Sequence, residues 1–285
     1  MSKPSQVNLT ASLEYPIATA YDLEMLLGQE VVENLVADCT IYAITQRPAI
    51  YFDNVNIKEL ARGRFICQIT DGKNIPIDCF FNIPVEEWDV LNVESKFYSK
   101  KEKKDASNDF FNKIEAIQIH LRNKPPMWIS ANVFIYLHYN SPLHYKISGN
   151  ITPYLIHKLH YIGQTTKQNI TKRLAHHRKL TRVITLEEPV NNNNIGTPHE
   201  ITIMTFKINS DDEAISGIHI TNEIEAALIN KFQPFYNEVK YNNYPNIENG
   251  FKKINKALWQ FEIKNLPISL YTEKYSMKNS IIEWE

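Results

Sequence analysis

"KLHYIGQTTKQNITKRLAHHRK", residues 158–179, reads in three parts. Its first six residues are rich in aromatic and branched side chains and close on Gly163, the composition of a short strand. Asn169 or Thr171 then supplies a cap, and the pattern that follows predicts a helix to about Arg182. Lys167, Lys172, Arg173, His176, His177, Arg178 and Lys179 crowd this segment without one carboxylate among them. The net charge of the chain is only −1, so the concentration is local. From 151 to 186 there are seven Lys or Arg and no Asp or Glu, and all nine histidines fall between His120 and His219. Such a layout is either a solvated basic face or a surface built to meet a polyanion.

Working outward, 285 residues exceed most single domains, so two domains are expected. Residues 1–125 hold 18 acidic against 14 basic side chains, and 126–245 hold 9 against 11. The three cysteines, Cys39, Cys67 and Cys79, match no zinc spacing and imply no disulfide framework, which fits a reducing cytoplasm. The N-terminal stretch MSKPSQVNLTASLEYP lacks the apolar run of a secretory leader, and no segment approaches the ~18 apolar residues of a membrane span. A soluble cytoplasmic protein with no membrane partner is the expectation.

Residues 19–38 predict an amphipathic helix with Leu23, Leu26, Leu27, Val31 and Leu35 on one stripe. TIYAIT (40–45), AIYF (49–52), RFICQIT (64–70) and IPIDCFF (75–81) read as strands, with TDGK (70–73) turning the last two into a hairpin. SKKEKKDASND (99–109) reads as a solvated loop leading into a helix over 110–123. KPPMW (124–128) breaks the pattern, and a domain boundary is placed there. Beyond it, NVFIYLHY (132–139), KLHYIG (158–163) and EITIMTFKI (200–208) are expected as strands, and 221–232 and 246–261 as helices. The predicted fold class is therefore α+β. A mixed α+β domain (1–125) precedes a catalytic domain (126–245) with a three-stranded antiparallel sheet flanked by helices, and a helical extension (246–285) follows.

Several side chains of the middle section suggest chemistry. Tyr136 lies mid-strand in this reading, and Tyr161 ends the next strand before Gly163. Arg173 and His177, four apart, would share a helix face. Glu225 sits among Ile224, Ala226, Ala227, Leu228 and Ile229, where a carboxylate is only partly solvated and wants a cation. Taken singly, each has a bland explanation: a packed strand aromatic, a solvated basic face, a surface ion pair. Their joint order is harder to explain that way.

The set resembles the GIY-YIG nuclease superfamily over roughly residues 131–240. FIY (134–136) stands for that family's GIY, YIGQT (161–165) for its YIG, and Arg173 with His177 for Arg-x-x-x-His. EAALINKFQPFYN (225–237) follows the family's ending, with Glu225 and Asn237 in place. Phe134 departs from the first glycine, and the gap from Tyr136 to Tyr161 exceeds the usual hairpin. The resemblance implies hydrolysis of a nucleic-acid phosphodiester with one divalent cation, Mg2+, for which Mn2+ substitutes. By the same resemblance Glu225 holds the metal and Arg173 stabilises charge on the phosphate. Tyr136 activates water with neutral His177 accepting its proton, and Tyr161 orients the phosphate or the water. Asn237 contacts the DNA backbone or orders the helix end, and Gly163 makes a turn that a side chain would crowd. Lys167, Lys172, Arg178 and Lys179 are expected on flanking phosphates.

Superfamily members devoted to homing or repair carry the module first, whereas restriction enzymes embed it among additions. The order here implies a type II restriction endonuclease acting on double-stranded DNA as a dimer or tetramer, with a cognate DNA methyltransferase in the same system. The alternatives are a mobile-element, defence or repair nuclease with structure-specific or nonspecific cleavage, or a catalytically silent DNA-binding protein. Any DNA contact from the acidic first section would come from a patch of Lys100, Lys101, Lys103 and Lys104 with Arg122.

Overall fold

A computed structural model describes residues 4–20, 22, 29–97, 110–111, 113–175, 177–187, 199–212, 215, 217–245, 251–277 and 279–284. The chain opens with β1 (Ser5–Leu13), β2 (Ala18–Thr19), α1 (Glu30–Leu35) and β3 (Ile41–Pro48). It continues through β4 (Tyr51–Asp53), β5 (Val55–Asn56), α2 (Ile57–Leu60), β6 (Arg64–Thr70), β7 (Ile77–Asn82), β8 (Val90–Phe97) and β9 (Phe110–Phe111). Next come β10 (Ile114–Leu121), β11 (Met127–Ser130), α3 (Ala131–Asn140) and β12 (Tyr145–Ser148). The last part comprises β13 (Ile156–Gln164), α4 (Ile170–Ala175), α5 (Arg178–Glu187), β14 (His199–Ser210), α6 (Gly217–Phe232), β15 (Lys256–Lys264), β16 (Ser269–Tyr271) and β17 (Ile281–Glu283).

The chain divides into two compact units. The first gathers the described residues of Met1–Arg47, Leu155–Asn194 and His199–Glu285, and Pro48–Tyr154 forms the bulk of the second. The chain thus leaves the first unit after β3, completes the second, and returns in β13, which pairs antiparallel with β3. The second unit occupies the connection between two neighbouring strands. The Pro125–Pro126 pair, where the composition breaks, lies inside it, between the paired strands β10 and β11.

The first unit is an eight-stranded sheet in the order β16-β13-β3-β14-β1-β15-β17, with β2 added against β14. β3 is covered on both faces, which is why IYAIT reads as an unbroken apolar run. On one face Tyr42 and Ile44 pack with Ile170, Leu174, Leu180 and Val183 of α4 and α5. On the other, Ile41 and Ala43 share a small apolar void with Leu228 and Phe232 of α6. Among the described residues no helix is long and apolar enough to cross a membrane.

The second unit is a seven-stranded sheet in the order β11-β10-β4-β6-β7-β12, with β8 against β10. β6 and β7 form the expected hairpin, whose turn is fixed by Asp71 Oδ1 accepting from the Lys73 and Asn74 N–H groups at 2.9 and 2.8 Å. Burial pushes the Asp71 carboxyl up, but the hydrogen bonds from Asn74 and Lys73 hold it below its ordinary value.

These two large sheets make the chain mostly β and overturn the expected α+β class with its three-stranded sheet. Three segments changed type. The strand expected over 132–139 is α3, begun by Ser130 Oγ accepting the Val133 N–H at 3.3 Å, because a short apolar run does not by itself separate buried strand from buried helix. Phe134 lies in the core of the second unit, edge-on to Phe52 at 6.0 Å and Tyr145 at 5.4 Å. The helix expected over 110–123 is β9 and β10, because β10 finds partners in β8 and β11 that outweigh a weak helical pattern. Of the helix expected over 246–261, residues 246–250 lie outside the described residues, and the rest is a 3-10 turn (Phe251–Ile254) and the start of β15, separated by Asn255 at φ 56°. Of the helix expected over 19–38, only α1 and its flanks are described. There Val32 and Val36 are buried while Val31 and Leu35 are exposed, so the stripe is rotated, and Leu23, Leu26 and Leu27 lie outside the described residues.

Arg47, at the end of β3, is buried and donates to Glu200 Oε1 from Nε at 3.1 Å and Nη2 at 3.0 Å. Removing one partner strands a buried charge. Arg47→Met is expected to lower unfolding free energy by about 3–5 kcal/mol in urea titrations at pH 7, and Arg47→Met with Glu200→Leu to recover most of the loss.

Candidate active site

β3 and β13 lie side by side with Tyr42 opposite Gly163 and Ile44 opposite Tyr161. Side chains opposite one another in an antiparallel pair share a face, so Tyr42 and Tyr161 emerge together, with ring centroids 6.1 Å apart. This is possible because residue 163 has no side chain: a Cβ there would meet Tyr42 Cζ and Oη at 2.4 Å and Tyr161 Cε1 at 2.7 Å. Gly163 therefore makes room for a phenol rather than a turn.

α4 and α5 cover the two phenols. Asn169 caps α4 by accepting from the Thr171 N–H at 3.0 Å, as expected. The single helix expected to Arg182 is two helices, and His177 stands between them. Its Nδ1 accepts the Leu180 N–H at 3.1 Å, capping α5, and its Nε2 lies 2.8 Å from Tyr42 Oη. The imidazole is buried, edge-on to Tyr42 at 5.4 Å and angled against Tyr161 at 5.1 Å. Burial, then the charges of Arg173 and Lys179, lower its pKa to about 4. Arg173 projects from α4, exposed, and comes within hydrogen-bonding reach of Tyr42.

Glu225 comes from α6, where burial raises its carboxyl to about 7 against the lowering effects of a Gln164 hydrogen bond and the Arg173 charge. Gln164 ends β13, donates to Asn222 Oδ1 at 3.1 Å, and has a buried Oε1 with no hydrogen-bond partner. Burial raises the pKa of both Tyr42 and Tyr161, and the Glu225 charge raises Tyr161 further. Asn237 clamps the strand: its Oδ1 accepts the Ile162 N–H at 3.0 Å and its Nδ2 donates to Ile162 O at 2.7 Å. Both ends of its amide are used on β13, so it orders that strand.

Tyr161, Arg173, His177, Glu225, Asn237 and Gly163 thus gather in the first unit. Tyr136 lies on α3 in the second unit, on a helix instead of the expected strand. The phenol paired with Tyr161 is Tyr42. Lys167, Lys172 and Arg178 are exposed, whereas Lys179 is paired with Glu238. His176 and Lys100, Lys101, Lys103 and Lys104 lie outside the described residues, and Arg122 pairs with Asp89 at 2.8 Å.

No family model, curated protein or solved structure matches the chain. The geometry of the cluster has to carry the functional argument alone. The dipeptide Ile-Tyr occurs both at 41–42 on β3 and at 135–136 on α3, and it is the first of these that lies beside the YIG strand.

Gly163→Ala is expected to displace the Tyr42 ring and cost about 1–3 kcal/mol, read as a lower urea midpoint and an altered tyrosine near-UV signal. Acid should also act on this unit. His157, His160 and His177 are all lowered by burial, the last two to about 4. Unfolded, they take protons near 6.5. Between about pH 6.5 and 4 the unfolded chain binds more of these protons, so their contribution is intact above 6.5 and is lost as pH falls. The melting temperature is expected to drop across that window, and less steeply in His160→Gln.

Proposed function

We propose that the chain is a Mg2+-dependent DNA endonuclease in which Tyr42, not Tyr136, supplies the first phenol. The observation that carries this reading is the Tyr42–His177 contact at 2.8 Å beside Tyr161, with the Arg173 charge acting on both phenols and the Glu225 charge on Tyr161. Two phenols, an imidazole, a guanidinium and a carboxyl group are the side chains the GIY-YIG resemblance calls for, here carried on a much larger sheet.

A cation here would have Glu225 as its charged ligand, and among the described residues no three His, Cys, Asp or Glu side chains gather. That donor set fits Mg2+, which keeps several waters and takes few carboxylates, and Mn2+ by the same preference for oxygen. The buried, unpartnered Gln164 oxygen next to Glu225 adds a neutral oxygen of the right kind. Bound there, the ion would supply Lewis-acid polarisation of the phosphate. Arg173, exposed and always charged, would meet the developing negative charge on the phosphate. The half-buried Tyr161 hydroxyl would face the phosphate or the attacking water, while Tyr42, wholly enclosed, would act on it through Tyr161. Lys167, Lys172 and Arg178 are free to contact flanking phosphates, and Lys179 would first have to leave Glu238.

The finer form of the proposal is a type II restriction endonuclease. The inserted second unit would serve as the target-reading body, and a dimer or tetramer would provide one cluster for each strand. Phage and plasmid DNA incubated with Mg2+ should give discrete fragments, whereas a smear would move the reading to a nonspecific defence or mobile-element nuclease. Tyr42→Phe and Glu225→Ala are expected to reduce cleavage by about 100-fold or more, and Tyr136→Phe to leave it within about twofold. Equal loss in Tyr136→Phe and Tyr42→Phe would sink the assignment of Tyr42.

A further inference from the structure

His177 is asked to do two things at once, and each restricts the other. A backbone N–H has only a proton to offer, so the 3.1 Å bond from Leu180 N requires a lone pair on Nδ1. In a neutral imidazole the remaining proton then sits on Nε2, the atom 2.8 Å from Tyr42 Oη. A doubly protonated ring would set an Nδ1–H against the Leu180 N–H. It would also place a charge at the N-terminal end of α5, near Arg173 and Lys179.

We infer that the N-terminus of α5 locks His177 as the Nε2–H tautomer, so that it donates a hydrogen bond to the Tyr42 oxygen and cannot accept the phenolic proton. This reverses the direction of proton flow expected from the sequence and makes His177 a positioning residue that orients the Tyr42 hydroxyl. The Tyr42 proton must point elsewhere. The chain of donation therefore runs from the Leu180 N–H through His177 to the Tyr42 oxygen, beside the Tyr161 ring.

The tautomer is tested without reference to activity, by imidazole 15N shifts of His177 in the full-length protein at pH 7. An unprotonated Nδ1 with a protonated Nε2 is expected, and a protonated Nδ1 would overturn the inference. The consequence for catalysis rests on the nuclease reading and is tested by two substitutions that each keep one end of the ring. Asn reaches the Nδ1 position and can still accept from Leu180, whereas Gln reaches the Nε2 position and can still donate to Tyr42. With plasmid and Mg2+, His177→Gln is expected to cleave within about tenfold of the original chain, and His177→Asn and His177→Ala to lose about 100-fold or more. His177→Asn should melt closer to the original than His177→Ala does. If His177→Gln is as inactive as His177→Ala, the ring is acting as a proton acceptor and the donor role is wrong. If the unsubstituted protein cleaves no DNA, the nuclease reading falls and the 15N shifts alone decide the tautomer.

Discussion

The contact between Tyr42 and Gly163 is the constraint on which the candidate site depends. Two adjacent strands ordinarily fill the space above their pleat with one side chain from each partner. Here one of the partners contributes none, and a whole phenol lies in the vacated space with its oxygen over the neighbouring backbone. That position brings the oxygen to His177 and sets the second tyrosine beside it. Any side chain at 163 would compete with the ring for the same volume, so the hydrogen-bond chain and the strand pairing stand or fall together.

Support for that pair comes from both layers. α4 and α5 bury Tyr42 and Ile44 from one side, and the break between these helices puts an imidazole, instead of a backbone turn, over the phenol. From beyond α6, Asn237 holds the β13 backbone at Ile162, one residue before the glycine. Glu225, on α6 itself, is kept partly out of water and protonates more readily than an ordinary carboxyl group. A site of this kind spends little on flexible loops: its polar groups are fixed by strands, a helix start and a helix face.

The parts of the site that were legible in the sequence are those where local chemistry and position coincide. YIG, the Asn169 cap and the helix carrying Glu225 kept their type, because strand ending, cap and helical pattern are short-range properties. Tyr42 was not legible as a partner of Tyr161, since strand pairing is a long-range choice and nothing near Tyr42 names its neighbour. The segment 132–139 misled because a short, nearly continuous apolar run satisfies a buried strand and a buried helix equally, and a serine cap at 130 tips the balance to helix. Asn255, at a positive φ, likewise let KALWQFEIK become a strand beside β1 where helix was expected. The break at His177 had no clear signal, because a histidine is an uncommon cap.

The pairing of Gln46 with Lys158 sets the two ends of the inserted unit one strand spacing apart, about 4.8 Å. On the ribosome β3 is synthesised long before β13, and its central place in the sheet stays empty on that side until more than a hundred further residues have emerged. Condensation of the intervening unit would draw those ends together and spare the sheet most of the entropy of closing so long a loop. The topology thereby couples the two events: the same strand pairing that closes the long connection also brings Tyr161 beside Tyr42.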